Sequence, residues 1–597
     1  MSCRSQSDEY KSALTDRFTD LIDPTPFDIQ NTEVFEHQPL QDPNTELRYL
    51  YLLPKTHNVD HDGQTIIRCQ LHSDAEEQPP RYIGLSYTWG DPELRRPILV
   101  GDKVFHATVN LVIALEHLQE EGKTIRFWID AICIDQSNLS EKSIQVQRMG
   151  NVFASAALVL AWLGPAADES EVALRELIRY SYHCPSSYEQ LKHTFSRVYA
   201  ALPFESIHAF FDRPWFKRVW VGQEVALNKH VIFVCGRLDI QREELLVCQG
   251  KFTVSRSIWE GVGLSAVNVR FGAIEPLPLR VFLHENAAFH LLCGSDLESS
   301  DPRDYIYSSL GRISSLGNCV LDVDYTKRVQ DVYTEFAVAV IRAGEVDWLS
   351  YGWRLSGNYG DLPSWVPDWS NTRTCGSPQN MILLDYDIVE VCEIERGGKA
   401  LNISAQRIAQ ISRVVCSSAF DLSTSAMATQ RDEERVMLSL DTIRQALDDK
   451  ERWGHTVAER AVFDLSSGIS IMRDVNYKDP LQYVDLYKSY KAFRGLETLP
   501  SDMTDLRQWA RDTSRAYLSV IREPNIENFF VTATDIVGTS RDEVQPGDWV
   551  CVLGGVMGAW ILREVDGGFY RIVSFANVFP WGDVENSDAP VETITII

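Results

Sequence analysis

The residues of this chain whose type and spacing could do chemistry are carboxylates placed where apolar runs end. Asp91 closes the stretch YIGLSYTWGDP (82–92), Asp130 and Asp135 flank the end of the run that starts at Phe127, and Glu224 follows Trp220 in WVGQE. Four residues apart on a helix, Trp220 and Glu224 fall on one face, one turn from each other. A carboxylate in such a place either meets a ligand or closes a turn, a helix cap or an ion pair. Other familiar chemistries each lack a part. Gly84-Leu85-Ser86-Tyr87-Thr88 is one glycine short of a nucleophile elbow. Gly122-Lys123-Thr124 ends like a phosphate-binding loop, but His117 stands where the first glycine belongs. Gly261-Val262-Gly263-Leu264-Ser265-Ala266 has dinucleotide spacing without a strand before it, and reads as a loop. His57, Asp60, His61 and Asp62 share a polar loop with no further ligand near them, so no metal site is expected. Cys133 has no histidine placed to activate it and reads as a buried structural thiol.

The elements that must position these carboxylates follow from hydrophobic period. Phe127 to Ile134 is a short apolar run, rich in aromatic and β-branched residues, that suits a buried strand. Asn138 followed by Glu141 makes a capping-box helix start, and Val146, Met149, Phe153 and Ala156 give that helix one apolar face. Ala157 to Leu163 is a second run without polar alternation, so strand, helix and strand form a βαβ crossover in a parallel sheet. Ligands of such sheets are sought at the carboxyl ends of the strands. Upstream, LRYLYLL, TIIRCQL and YIGLSY read as strands, a hairpin turns at Gly101-Asp102, and a helix over 109–122 stops at Gly122. Downstream, a helix is expected over 168–182. Pro214 opens another, with Trp215, Val219 and Gly222 on one side, and Val231 to Cys235 is a buried strand. Residues 35–245 thus read as a doubly wound α/β domain. After an arm over 1–34, the remaining divisions are a helical and irregular region over 246–430 with helices at 301–313 and 329–344, a charged helical region over 431–535, and a small antiparallel β module over 536–597.

Composition bounds the partners. The 597 residues need more than one core, and 44% hydrophobic with 24% charged residues describe a globular chain. A net charge of −27, from 84 acidic and 57 basic residues, argues against a broad nucleic-acid or anionic-membrane surface. No run is long enough to span a bilayer, and MSCRSQSDEY lacks the apolar core of a secretory signal. The 12 cysteines are scattered singly, which predicts reduced thiols in a cytoplasmic protein.

Three blocks carry a resemblance. YIGLSYTWGDP, FWIDAICIDQSNLSEKSIQVQRMGNVFASAALVLAWLG and RPWFKRVWVGQE resemble the blocks of the fungal heterokaryon incompatibility (HET) domain, and DPRDYIY, LPSWVPDWS and GDWVCVLGG resemble its accessory regions. The resemblance implies fungal nonself recognition, in which programmed cell death follows fusion of unlike cells. The blocks also resemble, more distantly, Toll/interleukin-receptor (TIR) domains of innate immunity. That implies a TIR-like, flavodoxin-like parallel sheet with flanking helices. In enzymatic TIR domains a tryptophan precedes the catalytic glutamate by the spacing of Trp220 and Glu224. The resemblance therefore implies Glu224 as the catalytic residue of an NAD hydrolase, with Ser86, Tyr87, Trp89, Asp91 and Trp220 around the substrate. No cofactor is implied, because NAD is the substrate. One carboxylate suffices to hold the ribose hydroxyls and steady an oxocarbenium-like centre. The alternative is a non-catalytic signalling module that assembles and recruits other proteins. Self-association and an incompatibility partner are implied by both.

Overall fold

The computed structural model describes residues 32–75, 81–183, 203–248, 297–312, 321–343, 359–371, 392–416, 528–540, 543–579 and 587–597, apart from single positions 62, 360, 396 and 535. The motif at Gly261–Ala266, most of the 1–34 arm and nearly all of the charged 431–535 region lie outside these residues.

The first sheet is built from β1 (Glu46–Leu52), β4 (Arg68–Ala75), β5 (Ile83–Tyr87), β6 (Arg95–Val100), β7 (Lys103–Thr108), β8 (Ile125–Trp128), β9 (Leu158–Trp162), β10 (Val231–Cys235) and β11 (Leu238–Gln241), while β2 (Val59–His61) and β3 (Gln64–Ile66) form a separate hairpin. Its strand order is β11-β10-β9-β5-β8-β1-β4-β6-β7. Strands β8, β5, β9 and β10 run parallel, and numbered among themselves by sequence they stand in the order 2-1-3-4. The expected parallel sheet proves to be mixed: β1 joins β8 antiparallel, and β11 closes the other edge antiparallel. The parallel strands are buried throughout, which is why they read as unbroken apolar runs. Gly84 interrupts that pattern for a steric reason. A Cβ there would stand 3.0 Å from the Phe153 ring, so the missing side chain lets a helix approach the strand.

The helices include α1 (Val109–Leu118), α2 (Asp130–Cys133), α3 (Leu139–Ser155), α4 (Ser170–His183), α5 (Phe204–Phe211) and α6 (Val221–Ala226). Several expected boundaries move. The run from Phe127 leaves the sheet at Trp128 and winds into the single turn α2, because Ile132, Cys133 and Ile134 find burial around a turn as well as along a strand. Helix α1 ends at Leu118 rather than Gly122, where the Gln119 amide donates to the Leu53 carbonyl at 2.6 Å. Asn138 caps α3 by accepting from the Glu141 backbone N–H at 3.2 Å. The return half of the capping box is absent, since the Glu141 carboxylate binds Arg48. The stretch after Pro214 is a 3-10 turn (Pro214–Lys217), then extended backbone at Arg218, then α6, so Trp215, Val219 and Gly222 do not share one helix.

The region expected to be mostly helical is mixed. It contributes α7 (Asp304–Tyr307) and α8 (Val329–Arg342), and also β12 (Cys392–Glu395) and the long β13 (Ala400–Cys416). With β14 (Asn528–Thr532), β15 (Val537–Ser540), β16 (Trp549–Leu553), β17 (Val556–Val565), β18 (Phe569–Phe579) and β19 (Val591–Ile596), these make a second sheet that reaches well beyond 536–597. Strand β13 pairs β14 over its second half and β16 over its middle, so the path β13-β14-β15-β18-β17-β16 returns to β13 and closes a barrel. Ala409, Ile411, Phe530, Val550, Ile561 and Val573 belong to one buried cluster of this barrel. Leu401, Ile403, Cys551, Trp560 and Ile572 instead belong to the core that also holds the first sheet. Cys416 and Asn528 are cross-strand partners, so the chain leaves and re-enters the barrel wall at neighbouring points. No helix among the described residues is long and apolar enough to cross a membrane.

Candidate functional site

Ser86 is the next-to-last residue of β5, and its side chain faces α6 across the carboxyl end of the parallel strands. There its hydroxyl donates to Glu224 Oε2 and accepts from the Trp215 indole N–H at 2.9 Å. The extended backbone at Arg218 turns its guanidinium back on the same carboxylate. Nη1 donates to Oε2 at 3.1 Å and Nη2 to Oε1 at 2.9 Å, a two-pronged pairing. Glu224 is 2% exposed and Arg218 16%. Every Glu224 oxygen therefore has a donor, and the centre is closed. Burial works against the charge on Arg218, but Glu224 and then Asp130 outweigh it and hold its pKa above the ordinary value.

Nearer solvent, the Trp89 indole donates to Asp130 Oδ2 at 3.0 Å, and the Ala131 backbone N–H donates to Oδ1 at 2.7 Å. Burial raises the Asp130 carboxyl to about 6, Arg218 opposes this and Glu224 adds to it. Its folded value thus lies above its ordinary one, and folding favours the protonated form. The stability it contributes is complete below about pH 4 and is lost as pH rises through 6. Asp130→Asn is accordingly expected to gain on the wild type between pH 4 and 7, measured as the difference in urea midpoint. Parallel profiles would mean that Asp130 is not held in this environment.

Tyr87 is fully buried, and its hydroxyl has no hydrogen-bond partner among the described residues. Burial, then the charge of Asp130, hold the phenol well above its ordinary value. Of the residues expected around a substrate, Ser86 is bonded to Glu224, Tyr87 senses the charges of the same centre, and Trp89 donates to Asp130. Two are elsewhere. Asp91 is exposed and closes a turn, accepting from the Glu93 backbone N–H at 2.9 Å. Trp220 precedes the first residue of α6, and its indole N–H donates away from the centre, to Asp304 Oδ2 at 3.0 Å. Two residues that sequence reasoning passed over belong here, Trp215 and Arg218, and the candidate carboxylate Asp130 joins them. The carboxyl-end rule marks Asp130, two residues past the end of β8, whereas nothing local marks Trp215 or Arg218. A cavity of about 450 Å³ lies on the opposite face of the sheet, over Ile83, Phe127, Leu160 and Val234, and none of the site residues lines it. Among the described residues no group of three or more His, Cys, Asp or Glu converges as a metal site. Burial raises the Cys133 thiol to about 12, in keeping with a structural role.

Residues 82–224 match the family described as Heterokaryon incompatibility protein (HET). The chain carries a HET domain. The match opens just ahead of β5 and ends on Glu224, so it spans Ser86, Asp130, Arg218 and Glu224 alike. The chain is also 28% identical over 405 residues to "Heterokaryon incompatibility protein 6, OR allele" of Neurospora crassa. That alignment covers 55% of this chain and 58% of the relative, so the HET-domain chain spans little more than half the length of the curated relative it matches. No solved structure matches.

Proposed function

We propose that this protein acts in fungal heterokaryon incompatibility. In this reading its HET domain, TIR-like in organisation, triggers cell death by hydrolysing NAD at the nicotinamide–ribose bond, with Glu224 as the catalytic residue. The observation that supports the reading is the Ser86–Glu224 hydrogen bond at the carboxyl end of β5. It lies where β5 meets β9, which is where the order 2-1-3-4 reverses direction and where doubly wound sheets bind ligands. When the bond between ribose C1′ and the nicotinamide nitrogen breaks, its electron pair leaves with nicotinamide. Water then adds to C1′ and releases a proton. A carboxylate beside the ribose holds its hydroxyls and steadies the positive charge at C1′. Ribose hydroxyls donate to a carboxylate as Arg218 does, so turnover requires the Arg218 fork to open and substrate to take its place.

The closed fork also supports a second reading. Every Glu224 oxygen is occupied, as in a structural ion pair, which suits a module that signals by assembly alone. Nicotinamide release by the full chain, dilute and concentrated enough to assemble, separates the two. Hydrolysis by the wild type, with loss in Glu224→Gln and reduction in Ser86→Ala, is expected. Equal inertness of wild type and Glu224→Gln in every assembly state would leave the assembly reading.

A further inference from the structure

The segment that carries Arg218 and Glu224 is held by residues far downstream of the HET match. Glu298 forms a strand-like bridge with Arg218: the Glu298 backbone N–H donates to the Lys217 carbonyl, and the Val219 N–H donates to the Glu298 carbonyl at 3.2 Å. One residue further, Trp220 hands its indole N–H to Asp304. Asp304 also accepts from the Tyr325 hydroxyl at 2.7 Å and from the Ser299 hydroxyl at 3.2 Å, while its own α7 packs on α8. The carboxylate is thus enclosed by donors from three segments. Within α6, Gln223 Oε1 accepts from the Gly311 backbone N–H at 3.4 Å. Gly311 in turn faces Gly150 of α3 so closely that a Cβ on Gly150 would stand 3.2 Å from the Gly311 Cα. From Lys217 to Gln223 the segment is therefore bound to residues 298–311 on one side, as Glu224, paired with Arg218, meets Ser86 on the other.

These contacts add direction to the apolar packing that Ile306, Tyr307 and Trp220 share. Backbone pairing at Glu298, the bonded carboxylate of Asp304 and a glycine-to-glycine approach at Gly311 fix where a neighbour sits. The Trp220 carbonyl accepts from the Gln223 and Glu224 backbone N–H groups, at 3.0 and 3.1 Å, so a shift of Trp220 is a shift of the turn that carries Glu224.

We propose that residues 298–311 are a positioning clasp for the Glu224 centre, with Asp304 and Trp220 as its positioning residues. Sequence 82–224 then supplies the groups of the site but not their geometry. Trp220 acts by being held, not by touching a ligand. The proposal rests on the reading of Glu224 as the working carboxylate for its catalytic consequence, and on geometry alone for the coupling itself.

The Trp215 indole N–H reports the centre without any need for turnover, because it donates to Ser86, which donates to Glu224. In the full chain, Trp220→Phe keeps the ring and removes the bond to Asp304, while Asp304→Asn removes the charge. Arg328→Ala serves as a control, since it breaks the exposed Arg328–Asp331 pair elsewhere in the downstream region. Trp220→Phe and Asp304→Asn are expected to move the Trp215 indole resonance in a ¹H–¹⁵N spectrum, and Arg328→Ala to leave it in place. Should Asp304→Asn fail to fold, Trp220→Phe decides. In a nicotinamide-release assay kcat is expected to fall about 10- to 100-fold with little change in KM, the pattern of a misplaced group rather than a lost binding contact. An unmoved Trp215 resonance in Trp220→Phe, or an equal shift in the control, overturns the clasp. A moved resonance in a protein that never releases nicotinamide upholds the clasp and refutes the hydrolase.

Discussion

Arg218→Met is expected to cost about 3–5 kcal/mol of folding stability, near the lower end because Arg218 keeps 16% of its surface. The cost comes from what remains. Methionine fills most of the volume, but Glu224, 2% exposed, keeps only the Ser86 hydroxyl for its charge. Removing both charges is a different matter. In Arg218→Met/Glu224→Gln no charge is left unpaired, and most of the loss is expected to return, because exchanging a whole buried pair is often close to neutral. Urea unfolding of wild type, both single variants and the double variant measures this as a coupling energy, provided the m values agree. Independent, additive effects would show that the fork contributes nothing as a pair. The same cycle bears on function: a fork that opens for a substrate cannot be worth more than the substrate's own contacts return.

Glu141→Ala is expected to be at least as damaging, about 3–5 kcal/mol, because its partner Arg48 is only 4% exposed. The Arg48 fork reaches Glu141 Oε1 at 2.5 Å and Oε2 at 3.0 Å, and also donates to the Cys133 and Gln38 carbonyls. Glu141 additionally accepts from the Asp135 backbone N–H at 3.0 Å. One carboxylate thus ties β1, the turn after α2 and the first turn of α3 together, and alanine leaves a guanidinium and an amide without it. A fall in urea midpoint of that size, with Glu141→Gln intermediate because an amide keeps one acceptor, is the expected result. A loss below about 1 kcal/mol, the range of exposed pairs, would mean that the pair is open to water.

How far the sequence discloses this fold depends on how local each cause is. The strands β5, β9 and β10 and the helix α3 are legible because burial on both faces, or one apolar face with a cap, writes itself into consecutive residues. The one-turn α2 is not, because AICI looks the same along a strand as around a buried turn. Strand β13 hides for another reason. Its buried apolar residues keep to odd positions at Leu401, Ile403, Ala405, Ala409 and Ile411, but a bulge between Arg407 and Ala409 moves them from one buried cluster to the other. That bulge carries one strand from the shared core into the barrel, and the polar Ser404, Gln406 and Arg407 beside it break the apolar alternation that would mark the strand. At the site, Ser86 and Glu224 were legible from the ordered blocks. The Arg218 fork needs the extended kink before α6, and the direction of Trp220 is set by Asp304, 84 positions away. A four-residue spacing cannot convey either.

The pairing of Cys416 with Asn528 has a consequence for how this chain can change over time. The chain between those two residues begins and ends at one rung of the barrel ladder. Entropy charges little for length in such an arrangement, about 0.6 kcal/mol for each doubling of a closed loop. The ends of β13 and β14 can therefore meet in the same register over a wide range of lengths between them. The barrel wall is thus a doorway whose two posts, Cys416 and Asn528, are fixed by the ladder rather than by the length of chain that passes between them.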